Sequence, residues 1–239
     1  QRYLQSGHFL AGWAGYEFGT ILEGKIDVKP KSSACGKNVI ADFGVFDRPY
    51  SFNHETGEND LPHCSSFSLD SGDYCITNLR PNMDKERYLR ALARVQDYIA
   101  AGDTYQVNYT LKLLFDFHGN PEKLYRDLRR NQSVAYGAYI RNGDERILSF
   151  SPELFFKKTG SQITVRPMKG TAKRGRNGAE ERAYRKQLHD DSKNRSENVM
   201  IVDLLRNDLS RLMHGHGQST VGVDTLFDVE SYESLLQMT

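Results

Sequence analysis

Helical and strand-like periodicities alternate along this chain of 239 residues without a regular strand–helix–strand repeat. A barrel or a doubly wound parallel sheet needs that repeat, so the irregular order points instead to an α+β, mixed architecture of layered β-sheets flanked by helices. FLAGWAGYEFG and KNVIADFGVF read as strands broken by turns, and EGKIDVKPKSSACGK between them reads as a loop. From Met83 to Ala100 the apolar residues Tyr88, Leu92, Val95 and Ile99 share one helical face, and Gly102 is placed to end that helix. TYQVNYTLKLLFDF alternates like a strand, and a second helix starts at Pro121 with Asn120 as its cap.

Three strand-like runs follow, SVAYGAYIR, RILSFSPELFF and QITVRPM, the last with Ile163 and Val165 on one face. Residues 180–213 are mainly helical with a break near His189–Ser192, and strand signals return at STVGVDTLFDVESY. The division expected is a β-rich part over residues 1–80 and a second region over residues 81–239, intertwined as one unit. The chain starts at QRYLQSGHFL and stops at LLQMT, inside what read as elements, which is the pattern of a piece of a longer protein, incomplete at both ends.

Lys+Arg total 32 against 31 Asp+Glu, a net charge of +1, so bulk charge gives no reason to expect nucleic acid or an anionic membrane as partner. No apolar run approaches the roughly 20 residues that span a bilayer. The sparse cysteines, Cys35, Cys64 and Cys75, form no C-x-x-C pair and read as reduced thiols of a cytoplasmic protein.

Three segments carry candidate chemistry. Glu153 stands in the apolar run FSPELFF, either as a surface residue at a strand end or as a carboxyl held in a site, where burial would help it keep a proton. Lys169 in RPMKGTAKRG follows a strand and precedes Gly170 and Thr171; it is a solvated turn residue unless its environment keeps the amine neutral and nucleophilic. In KNRSENVMIVDLLRND, Asn194 and Glu197 lie three apart on one helix face, where Glu197 can ligate a metal or pair with a neighbouring arginine. Gln106, Asn108 and Thr110 alternate with apolar neighbours and share a face if their segment is a strand.

Together AGWAGYEFG, GDTYQVNYT, FSPELFF, TVRPMKGTAKRG, KNRSENVMIVDLLRNDLSRL and DVESYES resemble the chorismate-utilising enzymes, in the family's order and over most of the chain from Gly12 onward. Lysine in P-M-K-G-T resembles the aminodeoxychorismate synthase branch, whereas alanine is usual there in the anthranilate and isochorismate branches. The resemblance implies a chorismate-binding catalytic region over residues 81–239 and amination of chorismate at C4. In that scheme Lys169 is the nucleophile, Glu153 the proton donor, Gly170 and Thr171 lie against substrate, and Glu197 ligates Mg2+. It further implies a glutamine amidotransferase partner that supplies ammonia and, at Ala135, Tyr136 and Gly137, a contact for tryptophan as effector. Histidine is common in relatives where this chain has Leu236 or Gln237, and Asn194 replaces an acidic residue of some relatives. The alternatives are anthranilate or isochorismate synthesis, and a truncated subunit that binds a partner without catalysis.

Overall fold

The computed structural model describes residues 2–23, 39–62, 72–132, 134–214 and 220–239. The chain divides into two units, Gln1–Leu69 and Asp70–Thr239. In the first, helix α1 (Arg2–Gln5) precedes strand β1 (Phe9–Ala14), and the short helix α2 (Phe18–Leu22) follows it. Strand β2 (Ala41–Phe46) then pairs antiparallel with β1, Phe9 opposite Phe46 and Ala14 opposite Ala41. YEFG, expected as strand, is thus the entry to α2. The loop expected at EGKIDVKPKSSACGK lies outside the described residues from Gly24 onward, as do Cys35 and Cys64.

The second unit opens with strand β3 (Tyr74–Pro81), on which Cys75 is a free, exposed thiol. Helix α3 (Lys85–Ala101) has Asp84 as cap, its carboxylate accepting from the Arg87 N–H, and ends on Gly102 at φ +80°, the left-handed conformation glycine adopts without strain. Tyr88, Leu92 and Val95 are half-buried as their spacing requires, but Ile99 at the end of the stripe is 41% exposed.

Strand β4 (Leu113–Gly119) pairs antiparallel with β3. The strand expected from Thr104 onward begins only at Leu113, so Gln106, Asn108 and Thr110 do not share a strand face. Alternation alone could not distinguish strand from irregular chain there, because no ladder partner among the described residues lies opposite it. Helix α4 (Pro121–Asn131) starts as anticipated: proline spends no helical N–H at the first position, and the Asn120 side chain accepts from the Lys123 N–H. Leu124 is buried, and Tyr125 stacks on Phe150 with ring centroids 5.0 Å apart.

Two hairpins follow, β5 (Tyr136–Asn142) with β6 (Glu145–Ser151), and β7 (Leu154–Thr159) with β8 (Gln162–Arg166), each closed by a two-residue turn that suits the strand twist. Ile163 and Val165 are the more buried positions of β8, as the period of two demands.

Strand β9 (Thr171–Lys173) leads to helices α5 (Gly178–Asp190) and α6 (Ser192–Met213), broken at Asp191 inside the window the sequence marks. The break is also a cap: the Asp191 carboxylate accepts from the Asn194 N–H. Strands β10 (Val229–Ser231) and β11 (Leu235–Met238) complete a three-stranded antiparallel sheet in the order β10–β11–β9. Only the end of STVGVDTLFDVESY is strand. Leu188 of α5 packs with Leu236 and Met238, both 0% exposed, and Ala172, Tyr184, Phe227 and Val229 close around them. All paired strands among the described residues are antiparallel, in keeping with an α+β architecture. No helix of the described residues is long and apolar enough to cross a membrane.

Asn120 is 7% exposed and its carboxamide serves the first turn of α4. Asn120→Ala is expected to lower unfolding free energy by about 1 kcal/mol, with Asn120→Asp losing less, as read from urea midpoints at constant slope.

A candidate active site at the end of strand β8

Pro167, Met168, Lys169 and Gly170 link β8 to β9 and belong to no strand. Proline offers no N–H and biases the preceding Arg166 towards extended backbone, so the chain leaves β8 straight. The next two N–H groups find acceptors on different elements. Met168 N–H donates to Oε1 of Glu153 at 2.9 Å, and Lys169 N–H donates to the Met238 carbonyl at 2.9 Å. Met238 N–H returns a bond to the Gly170 carbonyl at 3.0 Å, which extends the β9–β11 pairing past its formal end.

Glu153 is posed by its own turn. Between β6 and β7 the Ser151 hydroxyl accepts from the Glu153 N–H at 3.2 Å and lies 3.0 Å from the Glu153 carbonyl. The residue is exposed, not buried as a carboxyl shielded by its apolar neighbours would be. Phe155 and Phe156 do not cover it, since they are themselves 85% and 57% exposed. Glu153 nevertheless lies close in space to the backbone at Lys169, because its carboxylate accepts from the peptide N–H immediately before the lysine. Lys169 is half-buried.

Gly170 has φ +81°, and a Cβ there would meet the Cβ, Cγ and Oδ1 of Asn194 at 3.0–3.1 Å. Both facts require glycine: the backbone is left-handed, and the first turn of α6 packs directly on it. Thr171 Oγ1 lies 3.3 Å from Oε1 of Gln237, its register partner on β11. Glu197 stands one turn beyond Asn194 on α6; its ion pair with Lys193 is loose, at 3.9 Å, and its side chain is 31% exposed. That carboxylate is free enough to ligate a cation. Among the described residues no group of three His, Cys, Asp or Glu side chains converges as a metal site, so a divalent cation at Glu197 would need ligands besides those described.

Ala135, Tyr136 and Gly137, the residues matched to effector binding, are exposed at the start of β5. Tyr136 is the register partner of Ser151, two residues from Glu153, and the Tyr125 hydroxyl lies 3.1 Å from where a Gly137 Cβ would be.

Sequence reasoning missed four contributors. Met168, 7% exposed, is held at its N–H by Glu153 and touched at its sulfur by the Tyr232 hydroxyl, 3.8 Å away. Tyr232 also donates to Oε2 of Glu230 at 2.9 Å; burial first, and then that hydrogen bond, push the phenol up to about 12. Glu230 in turn binds Arg166. The signal for Glu230 and Tyr232 was their alternation in DVESY, which reads only as strand. The fourth is Asn198, 0% exposed, with neither carboxamide atom hydrogen-bonded among the described residues. Its position inside the stripe continued by Ile201, Val202 and Leu205 is visible in the sequence as an amide where an apolar residue belongs.

A buried unpaired amide costs about 1–3 kcal/mol. Asn198→Leu, close in shape, is therefore expected to leave stability unchanged or raise it by up to that amount. Urea unfolding checks this, and a marked loss would show that the carboxamide has a partner in solution.

With the geometry in place, comparison with known proteins is informative. A family profile described as chorismate binding enzyme matches residues 1–239. Aminodeoxychorismate synthase component 1 of Klebsiella aerogenes is 33% identical over 174 residues, 73% of this chain and 37% of that protein. Anthranilate synthase component 1 of a Synechocystis species is 36% identical over 166 residues, 67% of this chain and 32% of that protein. The crystal structure of anthranilate synthase component I from Streptococcus pneumoniae TIGR4 superposes with a TM-score of 0.78 at 21% identity, covering 97% of this chain and 56% of that one, which establishes the shared fold. The chain spans about a third of the length of these curated relatives. On the profile match and these identities, the chain belongs to the chorismate binding enzyme family.

Proposed function

We propose that this chain is part of a cytoplasmic aminodeoxychorismate synthase, which replaces the C4 hydroxyl of chorismate by an amino group through a covalent bond to Lys169. The observation that carries the reading is the Glu153–Met168 hydrogen bond, which sets a carboxyl group beside the backbone of the only lysine in the P-M-K-G-T segment. Similarity to aminodeoxychorismate synthase component 1 of three bacteria, at 32–34% identity, supports it.

The division of labour follows from the chemistry. The neutral Lys169 amine forms a C–N bond at C2, the ring double bonds shift, and the C4–O bond breaks. Hydroxide is a poor leaving group, so the oxygen departs as water with a proton from Glu153. One oxygen of Glu153 is committed to Met168 N–H, which leaves Oε2 to carry that proton. Ammonia then bonds to C4, the double bonds shift back, and the C2–N bond to Lys169 breaks; two easier substitutions replace one hard one. Glu197 would hold magnesium, which when bound anchors a substrate carboxylate and withdraws electron density from the ring. Gly170 and Thr171 form the wall against which substrate rests. Ammonia would come from a glutamine amidotransferase partner, and tryptophan at Ala135–Gly137 would act as effector.

Anthranilate synthesis is the second reading. It is favoured by relatives named anthranilate synthase component 1, which match this chain at 32–36% identity, as closely as the aminating ones do. Product analysis separates the two. Incubation with chorismate, magnesium and an ammonium salt is expected to yield 4-amino-4-deoxychorismate. Intact-protein mass is expected to show an adduct of chorismate less one water, absent from Lys169→Ala. Formation of anthranilate, or unchanged amination by Lys169→Ala, rejects the nucleophile.

A further inference from the structure

Two described residues other than glycine have positive φ, Asn78 at +53° and Phe227 at +66°. Asparagine tolerates that conformation. For a bulky aromatic residue it is strained and persists only where the surroundings hold it. Two sets of contacts hold Phe227. Its ring packs against the cluster of Leu188, Leu236 and Met238, and the Arg195 guanidinium lies over the ring, with Cζ 3.8 Å from the centroid. Just beyond, Thr239 N–H donates to the Asp228 carbonyl at 2.7 Å, so the β10–β11 pairing runs up to the residue after Phe227. Arg195 stands in the first turn of α6, directly after Asn194, whose side chain lies on Gly170. It also donates to the His189 carbonyl near the end of α5, at 3.3 Å. The arginine therefore joins the first turn of α6 to the cluster that anchors β11, the strand that receives Lys169 N–H.

We propose that Phe227 is a positioning residue: as the seat for Arg195 it sets the first turn of α6 on Gly170, and so fixes how α6 lies against the Lys169–Thr171 segment. Asn194 against Gly170 limits how near the helix can come. Arg195 over Phe227 supplies an attraction one residue along. A guanidinium is drawn to the electron-rich face of an aromatic ring, more strongly as water is excluded, and both partners here are half-buried. Filling the apolar space beside Leu188 and Leu236 would be served as well by leucine; the guanidinium requires the ring. That requirement accounts for a phenylalanine in a conformation where glycine or asparagine would be at ease. The consequence for chemistry rests on the reading of Gly170 and Thr171 as the wall for substrate and of Glu197, two residues beyond Arg195, as a cation ligand. The seating of α6 does not rest on it.

Double-mutant cycles on urea unfolding test the seating without turnover, so their outcome and that of the product analysis are independent. Gly170→Ala sets a Cβ 3.0 Å from the Asn194 Cβ, which no side-chain rotation clears, so the first turn of α6 must draw back to admit it. The strain of alanine at φ +81° is common to every background and cancels in the cycle. The penalty of Gly170→Ala, read from midpoints at constant slope, is expected to be full in the wild type and in Phe227→Tyr, which keeps the ring. It is expected to be smaller in Phe227→Leu and in Arg195→Met, by about threefold or more in the unfolding equilibrium constant. Leucine keeps apolar bulk at 227, and methionine keeps the unbranched stem at 195. Equal penalties in all four backgrounds overturn the proposal. So does relief in Phe227→Tyr, which would trace the effect to looser packing. Relief in Arg195→Met without relief in Phe227→Leu overturns it too, because the bond to the His189 carbonyl would then be the cause. Relief in Phe227→Leu alone removes Arg195 as the partner and likewise overturns it. Should Phe227→Leu fail to fold, Phe227→Met takes its place with the same expectations.

Discussion

The pairing of β9 with β11 is the constraint on which the site depends. Its last rungs are the reciprocal bonds between Met238 and the Lys169–Gly170 backbone, at 2.9 and 3.0 Å. Below them Leu236 and Met238 are fully buried against Leu188 of α5. Burying side chains of this size is worth about 1.5–3 kcal/mol each, so the strand that receives Lys169 N–H is anchored by the best-packed part of the unit. The lysine is thereby fixed at its backbone while its side chain remains half-buried and available.

The other elements add one contact each to the same short segment. The β6–β7 turn brings Glu153 to Met168, α6 lays Asn194 on Gly170, β11 places Gln237 against Thr171, and β10 contributes Glu230 to Arg166. Four elements thus meet on residues 166–171. The contacts are nearly all polar and made by single side chains. The surroundings of Lys169 are therefore open to adjustment by substitutions that leave the buried cluster intact.

Much of this was legible beforehand where a local rule governs. The cap and proline of α4, the glycine stop of α3, the break between α5 and α6 and the alternation of β8 follow from neighbours within a few residues, and the structure has them. The strand expected over Thr104–Phe117 forms only from Leu113 onward, because a strand is defined by its partner, and before Leu113 it has none among the described residues. LLQM reads as an element but is too short to show which kind; its strand identity comes from its partners β9 and β10, and Leu236 and Met238 are its buried face. The proximity of Glu153 to Met168, 15 residues away, was reachable only through resemblance, and the Arg166–Glu230–Tyr232 contacts had no local signature at all. Of the two readings of Glu153, the surface one holds: its apolar sequence context does not become apolar surroundings, because Phe155 and Phe156 turn outward.

The central claim is that Lys169 meets chorismate in a cleft it shares with Glu153. Trace acylation of lysines by acetic anhydride, quantified peptide by peptide with and without chorismate and magnesium, tests it most directly. The account predicts that chorismate shields Lys169 selectively and leaves the exposed Lys157 and Lys158 of β7 unchanged. Equal acylation of Lys169 in the presence and absence of chorismate would contradict it.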